Sequence, residues 1–303
     1  MKTNTAGNRA TLISVRADRV INLMFLLYSA ACIIPILMVV SVSFTDEQSI
    51  ILHGYGIWPE TFSTYAYAYI FGDSAQVLRS YGISIFVTVV GTLLSVLLMA
   101  LYAFPISRPD FPHKTLFSYY VFIPMLFNGG LVPFYLIYTN VLQLKNSVWA
   151  LILPLVVNTF FILMIRTFFA STIPQAVLES AKMDGASEFQ LFRKIVLPLS
   201  LPVLATVALF STLNYWNDWF HSLIFITDNK NVSLQYLMYR TMLNVQYLAS
   251  NSQAAERVGT SVITPSESMR MAMCVIGMGP IVLAYPFFQR YFVKGLTVGA
   301  VKG

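Results

Sequence analysis

The sequence has few charged residues for its length. Nineteen basic and thirteen acidic residues make up 11% of its 303 positions, and 57% are hydrophobic. Soluble domains carry about 25% charged residues. This composition excludes an ordinary water-soluble domain. It predicts an all-α integral membrane protein, because helices satisfy their own backbone hydrogen bonds inside lipid.

The sequence also has few of the side chains that metals and nucleophilic catalysis require. Cys32 and Cys274 fall in apolar segments, so we expect buried free thiols and no disulfide framework. His53, His113 and His221 are scattered without cysteine partners, which argues against a metal site. Neither a G-x-S-x-G elbow nor a phosphate-binding loop occurs. We therefore predict no catalytic residue, no metal ligand and no directly bound cofactor.

What is abundant is apolar sequence in long runs. A helix needs about 20 apolar residues to cross the hydrocarbon core of a bilayer. Residues 1–19 are predicted as a cytoplasmic segment and 20–303 as one transmembrane domain. Six stretches reach spanning length, and they are Val20–Phe44, Tyr81–Phe104, Thr115–Tyr138, Val148–Ala170, Leu201–Ile226 and Ala272–Val293.

The basic residues predict the orientation of these spans. With both termini inside, thirteen Lys and Arg residues lie on the inner side, and the six on the outer side are Arg79, Lys145, Lys230, Arg240, Arg257 and Arg270. The positive-inside rule therefore favours inner termini. The net charge of +6 is explained by this asymmetry and by anionic inner lipid, and it gives no argument for nucleic acid.

The connection between the fourth and fifth spans, residues 173–200, is compact and charged. Pro174 is suited to opening a helix, and Gly185 breaks it after Asp184, which can cap the next helix. A second helix is predicted from Ala186 to about Val196, with Phe189, Phe192 and Val196 on one face. An interfacial helix on lipid is one interpretation. Its nearly balanced charges favour docking into a protein groove instead.

The residues of this connection resemble the EAA loop of ABC-importer permeases. The matching residues are Glu179-Ser180-Ala181, Asp184-Gly185-Ala186, Phe192, Ile195, Leu197-Pro198 and Pro202. Ser180 departs from the family pattern, which has Ala there. "FNGGLVPFYL", "WALILP", "YWNDWF" and "YPFFQRYFVKGLTVGAVKG" are similar to the branch that takes up oligosaccharides and polysaccharide fragments.

That resemblance implies a type I ABC importer with several partners. The expected partners are a second, non-identical permease, two cytoplasmic ATPase subunits that hold ATP and Mg, and an extracytoplasmic sugar-binding protein. The expected location is the cytoplasmic membrane of a prokaryote. The loop would form coupling helices that dock in the ATPase, with the coupling residues Glu179, Ala181, Asp184, Gly185, Ala186, Phe189 and Phe192.

The fifth span offers polar side chains for a substrate path. As one helix, it places Asn214, Asn217, Asp218 and His221 on a single stripe at i, i+3, i+4 and i+7. His221 or water could relieve the cost of Asp218 in the membrane. The flanking aromatic residues predicted for the pathway are Tyr215, Trp216 and Trp219. The same residues could instead form an interhelical hydrogen-bond cluster.

Two further interruptions occur in the third and fourth spans. Asn128, Gly129 and Gly130 break the third, followed by Pro133, and Asn158 lies in the fourth. Irregular backbone at membrane depth is tolerated where it lines a cavity or is covered by protein. We predict that these residues line the translocation path. A packing notch for a neighbouring helix is the competing interpretation.

Three alternatives to a sugar importer remain open at this point. The permease could carry a non-sugar solute. A secondary transporter could use Asp218 and His221 as a proton relay. A membrane-embedded assembly or sensor protein could use the connection of residues 173–200, which we call the inner loop, for another partner. The long outer segments 45–80 and 227–270 are candidates for contact with a binding protein.

Overall fold

The computed structural model describes residues 15–250 and 267–300. These residues form helices and no β-strand, with an isolated bridge between Thr45 and Phe62. The predicted all-α class is therefore confirmed. Residues 1–14 of the predicted cytoplasmic segment lie outside the described part, as do residues 251–266 of the second long outer segment.

The chain divides into two compact units. The first combines Met1–Tyr69 with Leu248–Val275, and the second combines Ile70–Tyr247 with Ile276–Gly303. The second unit holds the inner loop and all three interruptions identified in the sequence. The division itself was not indicated by the sequence, whose apolar runs continue without a linker.

The first unit contains three helices before its boundary at Tyr69 and the start of the last helix. They are α1 (Val15–Ser43), α2 (Glu47–His53), α3 (Tyr65–Ile70, ending at the boundary) and the first turns of α15 (Glu267–Ala300). Glu47 is buried and accepts hydrogen bonds from the backbone N–H groups of Glu267 (2.9 Å) and Ser268 (3.0 Å). This carboxylate satisfies donors that a helix start leaves free.

The second unit is built around one long helix and several short ones. The helices in chain order are α4 (Ser74–Ser107), α5 (Lys114–Leu126), α6 (Leu131–Leu136), α7 (Trp149–Val156), α8 (Thr159–Thr172), α9 (Gln175–Met183), α10 (Glu188–Leu191), α11 (Leu197–Leu199), α12 (Leu201–Trp216), α13 (Phe220–Phe225) and α14 (Leu234–Ser250). A 3-10 turn occupies Phe71–Asp73, and π-helical turns occupy Ile137–Val141 and Phe192–Val196.

Two of the predicted spans are single helices of membrane-crossing length. Ala17–Ser43 has 27 residues and Ser74–Ser107 has 34. The exposed apolar side chains of α1, such as Leu27 (60% exposed), suit contact with lipid or with another chain. Cys32 and Cys274 are exposed as well, so the expectation of buried thiols is wrong. Burial was expected because both cysteines fall in predicted membrane spans.

Three other candidate spans are bent helix pairs. Lys114–Leu126 meets Leu131–Val141 at 115°, Trp149–Val156 meets Thr159–Thr172 at 48°, and Glu188–Leu199 meets Leu201–Trp216 at 80°. Glycine or proline lies at or beside each bend, and both residues disfavour helix continuation. Counting each pair once gives up to five candidate spans among the residues searched. The six-span count and its orientation stay predictions.

The predicted fifth span, Leu201–Ile226, is not one continuous helix. Its helix α12 ends at Trp216, and α13 begins at Phe220. The polar residues Asn217 and Asp218 fall in the interruption, where Asn217 N still donates to Leu213 O (3.1 Å) but Asp218 N donates to Tyr215 O (3.4 Å), three residues back. The predicted sixth span, Ala272–Val293, lies within α15.

The hydrophobic core of the second unit joins the long helix to the inner loop. Helices α4, α8 and α12 enclose it, and the loop contributes side chains from α9 to the π-helical turn. Its buried members include Met99, Ala103, Phe104, Ile162, Ile165, Phe169, Leu178, Leu191, Phe192, Val196, Val203 and Val207. The inner loop is thus folded onto the helices rather than extended from them.

Candidate functional site

The inner loop forms two short helices separated by a glycine turn. At the end of α9, the N–H of Ala186 donates to Ala181 O (3.0 Å) and that of Gly185 donates to Lys182 O (2.9 Å). These two bonds form a Schellman motif, which places Gly185 at a φ of +82°. The predicted bend at Gly185 is therefore present. An L-residue rarely adopts this conformation, so the turn depends on glycine.

The second helix of the loop begins with a capping box. Gln190 N donates to Ser187 Oγ (3.4 Å), and Ser187 N donates to Gln190 Oε1 (2.9 Å). Ser187 therefore caps this helix, and the predicted capping role of Asp184 is wrong. Asp184 instead occupies the C-cap of α9, because the Schellman turn adds residues between the two helices.

The aromatic residues of the loop point in different directions. Phe189 is 64% exposed, whereas Phe192 is 3% exposed and packs against Phe104, with ring centroids 5.5 Å apart. The predicted shared face of Phe189, Phe192 and Val196 is wrong, since Leu191 joins Phe192 and Val196 in the core. The π-helical turn from Phe192 changes the helical register assumed from 3.6-residue spacing.

The loop also has an exposed apolar and acidic surface. Val177 (40% exposed), Met183 (89%) and Phe189 (64%) stand clear of the core. Glu179 and Asp184 are exposed too, and Glu179 accepts a hydrogen bond from Gln175 (2.8 Å). We call these five residues the exposed loop surface: Val177, Glu179, Met183, Asp184 and Phe189. By contrast, Ala181 and Ala186 are partly buried and pack against the core cluster.

A four-residue ionic cluster attaches the loop to the C-terminal end of α4. Arg108 donates to both carboxylate oxygens of Asp110 (2.9 and 2.8 Å) and to Glu188 Oε2 (2.9 Å). Lys182 Nζ lies 3.1 Å from Asp110 Oδ2 and 2.7 Å from Glu188 Oε1. Bidentate pairs of this kind are among the stronger charge-assisted contacts.

The ionic cluster shifts the titration of two of its members. The hydrogen bond from Arg108, supported by that from Lys182, lowers the pKa of Asp110 from 3.8 to about 2. The hydrogen bond to Glu188, followed by that to Asp110, raises the pKa of Lys182 above 10.5. Both shifts favour the charged forms, so Asp110 and Lys182 keep their charges across the physiological range.

The sequence reasoning missed the ionic cluster. Arg108 and Lys182 were counted only as inner basic residues, and Asp110 received no role. The contacts join positions 80 and 72 residues apart. The signal that could have found them is a charged Arg-Pro-Asp triplet directly after a long apolar run, at the same membrane side as the loop.

The interruption after α12 is held by a local pair. Asp218 Oδ2 lies 2.9 Å from His221 Nδ1, and Asp218 Oδ1 accepts from His221 N at 3.3 Å. The two side chains are 12% and 13% exposed. The predicted relief of Asp218 by His221 is therefore present. The predicted continuous stripe is wrong, because the helix ends between Asn214 and Asn217.

Two aromatic residues predicted to line the pathway are buried within the unit. Tyr215 donates to Ile152 O (2.9 Å), and Trp216 Nε1 donates to Gly277 O (2.8 Å). A Cβ on Gly91 would meet the Tyr215 ring at 2.4 Å, so glycine makes room for it. Tyr215 and Trp216 are each 3% exposed. Both therefore have packing roles here, and the prediction that they line a path is wrong for this structure.

The exposed polar members of that stretch are different residues. Asn214 and Asn217 are exposed, and Trp219 is 38% exposed with its ring centroid 4.5 Å from that of Tyr239. These residues keep polar atoms and an aromatic surface available. Their part in a substrate path stays a prediction.

The other two predicted interruptions have local hydrogen-bonding roles. Asn128 Oδ1 accepts from Gly130 N (2.9 Å), and Gly130 has a φ of +84° at the 115° bend. Gly129 lies between them and is exposed. Asn158 caps α8 by accepting from Phe160 N (3.0 Å). All four predicted residues are exposed, which agrees with either a cavity or an interface with another chain.

The fold and the inner loop together define a membrane transport subunit, and the sequence comparisons name its family. Residues 80–298 match the family described as binding-protein-dependent transport system inner membrane components. The chain belongs to this family. The family resemblance predicted from the inner loop is therefore confirmed.

Curated relatives cover nearly the whole chain. Protein LplC of Bacillus subtilis (strain 168) is 36% identical over 297 residues, covering 97% of this chain and 98% of the relative. The polygalacturonan/rhamnogalacturonan transport system permease protein YtcP of the same organism is 35% identical over 287 residues, covering 94% and 98%. These comparisons support an importer permease and give no support to an ion-coupled secondary transporter.

A solved structure has the same fold. The chain superposes with a TM-score of 0.77 on a chain from the crystal structure of a bacterial ABC transporter involved in the import of the acidic polysaccharide alginate. The two share 26% identity, and the match covers 93% of this chain and 100% of the other.

Proposed function

We propose that this chain is a permease subunit of an ATP-driven importer and forms half of the membrane pathway for an oligosaccharide. Two ATPase subunits holding ATP and Mg drive the cycle, a second and non-identical permease completes the pathway, and an extracytoplasmic binding protein delivers the sugar. The complex is placed in the cytoplasmic membrane of a prokaryote. Family membership and the names of the relatives support this proposal.

The exposed loop surface is the observation that carries the coupling role. Apolar side chains such as Met183 and Phe189 stand exposed on a loop whose other face is packed into the core. Exposed apolar groups beside carboxylates suit a protein groove with apolar walls and a basic rim. The carboxylate of Glu179 is assigned to a basic residue of the ATPase, and Phe189 to its apolar groove.

Substrate passage is assigned to the exposed members of the interruptions. Asn214, Asn217 and Trp219 offer amide groups and an indole ring, the chemistry that sugar hydroxyls and sugar ring faces require. The bend at Asn128–Gly130 is assigned to the wall of the same path. Asp218 acts through His221, keeping the interruption in shape.

The oligosaccharide class is proposed from the relatives. One is named as a polygalacturonan/rhamnogalacturonan permease, and the arabinooligosaccharides transport system permease proteins AraQ of Halalkalibacterium halodurans and Bacillus subtilis (strain 168) are 28% and 24% identical to this chain. The substrates in these names are all oligosaccharides or polysaccharides. A panel of neutral and uronic-acid oligosaccharides therefore covers the expected range.

The test is ATP-driven uptake by proteoliposomes containing both permeases, the ATPase and the binding protein. We expect uptake of at least one oligosaccharide from the panel, abolished without ATP or without the binding protein. Phe189→Ala should lower uptake by reducing ATPase recruitment, since this ring is exposed and its loss leaves the core intact. Phe71→Ala removes another exposed phenylalanine ring (45% exposed, against 64% for Phe189) from a predicted outer segment and is the control. Uptake that persists without the ATPase would reject the proposal.

A further inference from the structure

The ionic cluster joins two segments that are far apart in the chain. Arg108 and Asp110 follow the C-terminal end of α4, while Lys182 and Glu188 belong to the loop helices α9 and α10. The contacts between the segments are Arg108 to Glu188 at 2.9 Å and Lys182 to Asp110 at 3.1 Å. In the described part of the chain, no other salt bridge joins the inner loop to the rest of the second unit.

The same cluster also spans the glycine turn within the loop. Lys182 lies in the last turn of α9, and Glu188 is the first residue of α10, with Gly185 between them. The 2.7 Å contact between Lys182 Nζ and Glu188 Oε1 joins the two loop helices across the turn. A cation at a helix end and an anion at a helix start each interact favourably with the helix dipole. The cluster therefore sets the angle between the two loop helices and their position on α4.

Arg108 is the member with the least solvent contact. Its side chain is 10% exposed, against 50% for Asp110 and 58% for Glu188. Its Cζ atom lies 5.7 Å from the ring centroid of Phe104, which in turn packs on Phe192 of the loop. A guanidinium so enclosed requires its carboxylates, because an unpaired buried charge is costly.

Apolar packing positions the loop through shape. Hydrophobic contacts are non-directional, so they add no preferred angle of their own. Hydrogen bonds between charged groups depend on distance and angle. Arg166 Nε of α8 also donates to Ile106 O at the same end of α4 (3.3 Å). Directional contacts from both the loop and α8 therefore hold this end of α4.

We infer that Arg108 is a positioning residue that fixes the inner loop to α4. Movement imposed on the inner loop by the ATPase therefore moves the helices of the pathway. This inference rests on the proposed function and names the contact through which force passes. Asp110, Lys182 and Glu188 act with Arg108 as one unit. Without the cluster, the loop still docks on the ATPase but moves partly independently of α4.

The first arm of the test measures the loop itself in the assembled, ATP-free complex. Backbone hydrogen–deuterium exchange in residues 175–191 is compared for wild type, Arg108→Gln and Glu188→Gln. We expect about tenfold faster exchange in both variants, because local opening loses its ionic contacts. Lys114→Gln removes a cation from the same inner connection outside the cluster and should leave exchange unchanged.

The second arm measures coupling. Sugar transported per ATP hydrolysed is determined in proteoliposomes for the same variants, with the amount of bound ATPase measured separately. We expect the ratio to fall about tenfold in Arg108→Gln at unchanged ATPase binding, on the scale of losing one hydrogen bond to a charged group. The transport-to-ATP ratio of Arg108→Lys should lie between those of wild type and Arg108→Gln. Lysine keeps the charge but cannot contact both carboxylates in a fork.

The double variant Arg108→Gln/Glu188→Gln separates the pairwise contact from two independent effects. If the contact transmits force, the loss in the double variant is smaller than the sum of the two single losses, and any loss beyond that of Arg108→Gln reflects the contact of Glu188 with Lys182. Unchanged exchange in Arg108→Gln, or faster exchange with an unchanged transport-to-ATP ratio, would overturn the inference. A wild-type complex that takes up no oligosaccharide would instead reject the proposed function, and the exchange arm would still decide whether the cluster holds the loop.

Discussion

The inner loop and the interruption after α12 both break a helix with polar residues, but they hold the break together differently. In the loop, the ionic cluster connects residues 72 and 80 positions apart. After α12, the side-chain oxygens of Asp218 bond to His221, three residues away, while the backbone oxygen of Asp218 accepts from Ser233 Oγ at 3.3 Å. The first arrangement stabilises the packing of one segment on another, and the second stabilises a local backbone shape. We therefore expect changes in the loop to affect coupling and changes after α12 to affect the path.

The largest expected difference is between Trp216, the last residue of α12, and Trp219, in the interruption that follows. Trp216→Ala removes a buried ring and its hydrogen bond to Gly277 O, which should cost about 3–5 kcal/mol and prevent assembly. Trp219→Ala removes a 38% exposed ring and should leave assembly intact while lowering oligosaccharide uptake. Detergent-stable complex yield and uptake distinguish the two. Equal yields for both variants would contradict the division between packing and pathway residues.

The next effect concerns the glycine turn. Gly185→Val places a β-branched residue at a φ of +82°, which costs about 1–2 kcal/mol and should displace α10. No neighbouring atom lies within 4 Å of an added Cβ, so the strain is in the backbone alone. Gly185→Asn should therefore retain most ATP-driven uptake, because asparagine tolerates this conformation. Equal loss in both variants would point to a steric partner contact instead.

Variants of the ionic cluster and of the Asp218–His221 pair should accelerate hydrogen exchange in different parts of the chain. Glu188→Gln should accelerate exchange in the loop and leave the helices around Asp218 unaffected. Asp218→Asn should accelerate exchange only in α13, at a cost of about 1 kcal/mol for the weakened bond to His221. Exchange mass spectrometry on the assembled complex measures both. Faster exchange of residues 175–191 in Asp218→Asn would contradict the local role of the Asp218–His221 pair.

The smallest effect is the pH dependence of the loop. The pKa of Asp110 is lowered to about 2, so its stabilising contribution is present above 3.8 and lost as pH falls towards 2. The pKa of Lys182 is raised above 10.5, so its contribution is present below 10.5 and lost only at higher pH. Intrinsic-rate-corrected exchange of the loop should therefore be constant between these limits. A transition near neutral pH would contradict the ionic cluster.

The sequence predicted the fold class and the backbone of the loop because both depend on local patterns. Apolar runs indicate membrane helices, and Gly185 marks a turn wherever its neighbours favour helix. The direction of Phe192 could not be predicted in the same way. The π-helical turn that buries it depends on packing against Phe104, 88 positions earlier.

The sequence was less informative about which polar residues face a partner. Tyr215 and Trp216 have the composition of a sugar site, yet tertiary hydrogen bonds to Ile152 O and Gly277 O enclose them. Residue type alone does not distinguish a ring that stacks on a sugar from one that packs in a core. Arg108 shows the reverse, since a residue assigned only to membrane orientation lies at the centre of the loop's contacts.

Photo-crosslinking from the loop tests the central claim most directly. A photoreactive phenylalanine analogue is placed at position 189 or at position 192 of the assembled complex. Phe189 is 64% exposed and Phe192 is 3% exposed, so the account predicts a crosslink to the ATPase from position 189 and none from position 192. A crosslink from position 192, or none from position 189, would contradict the assignment of the exposed loop surface to the ATPase.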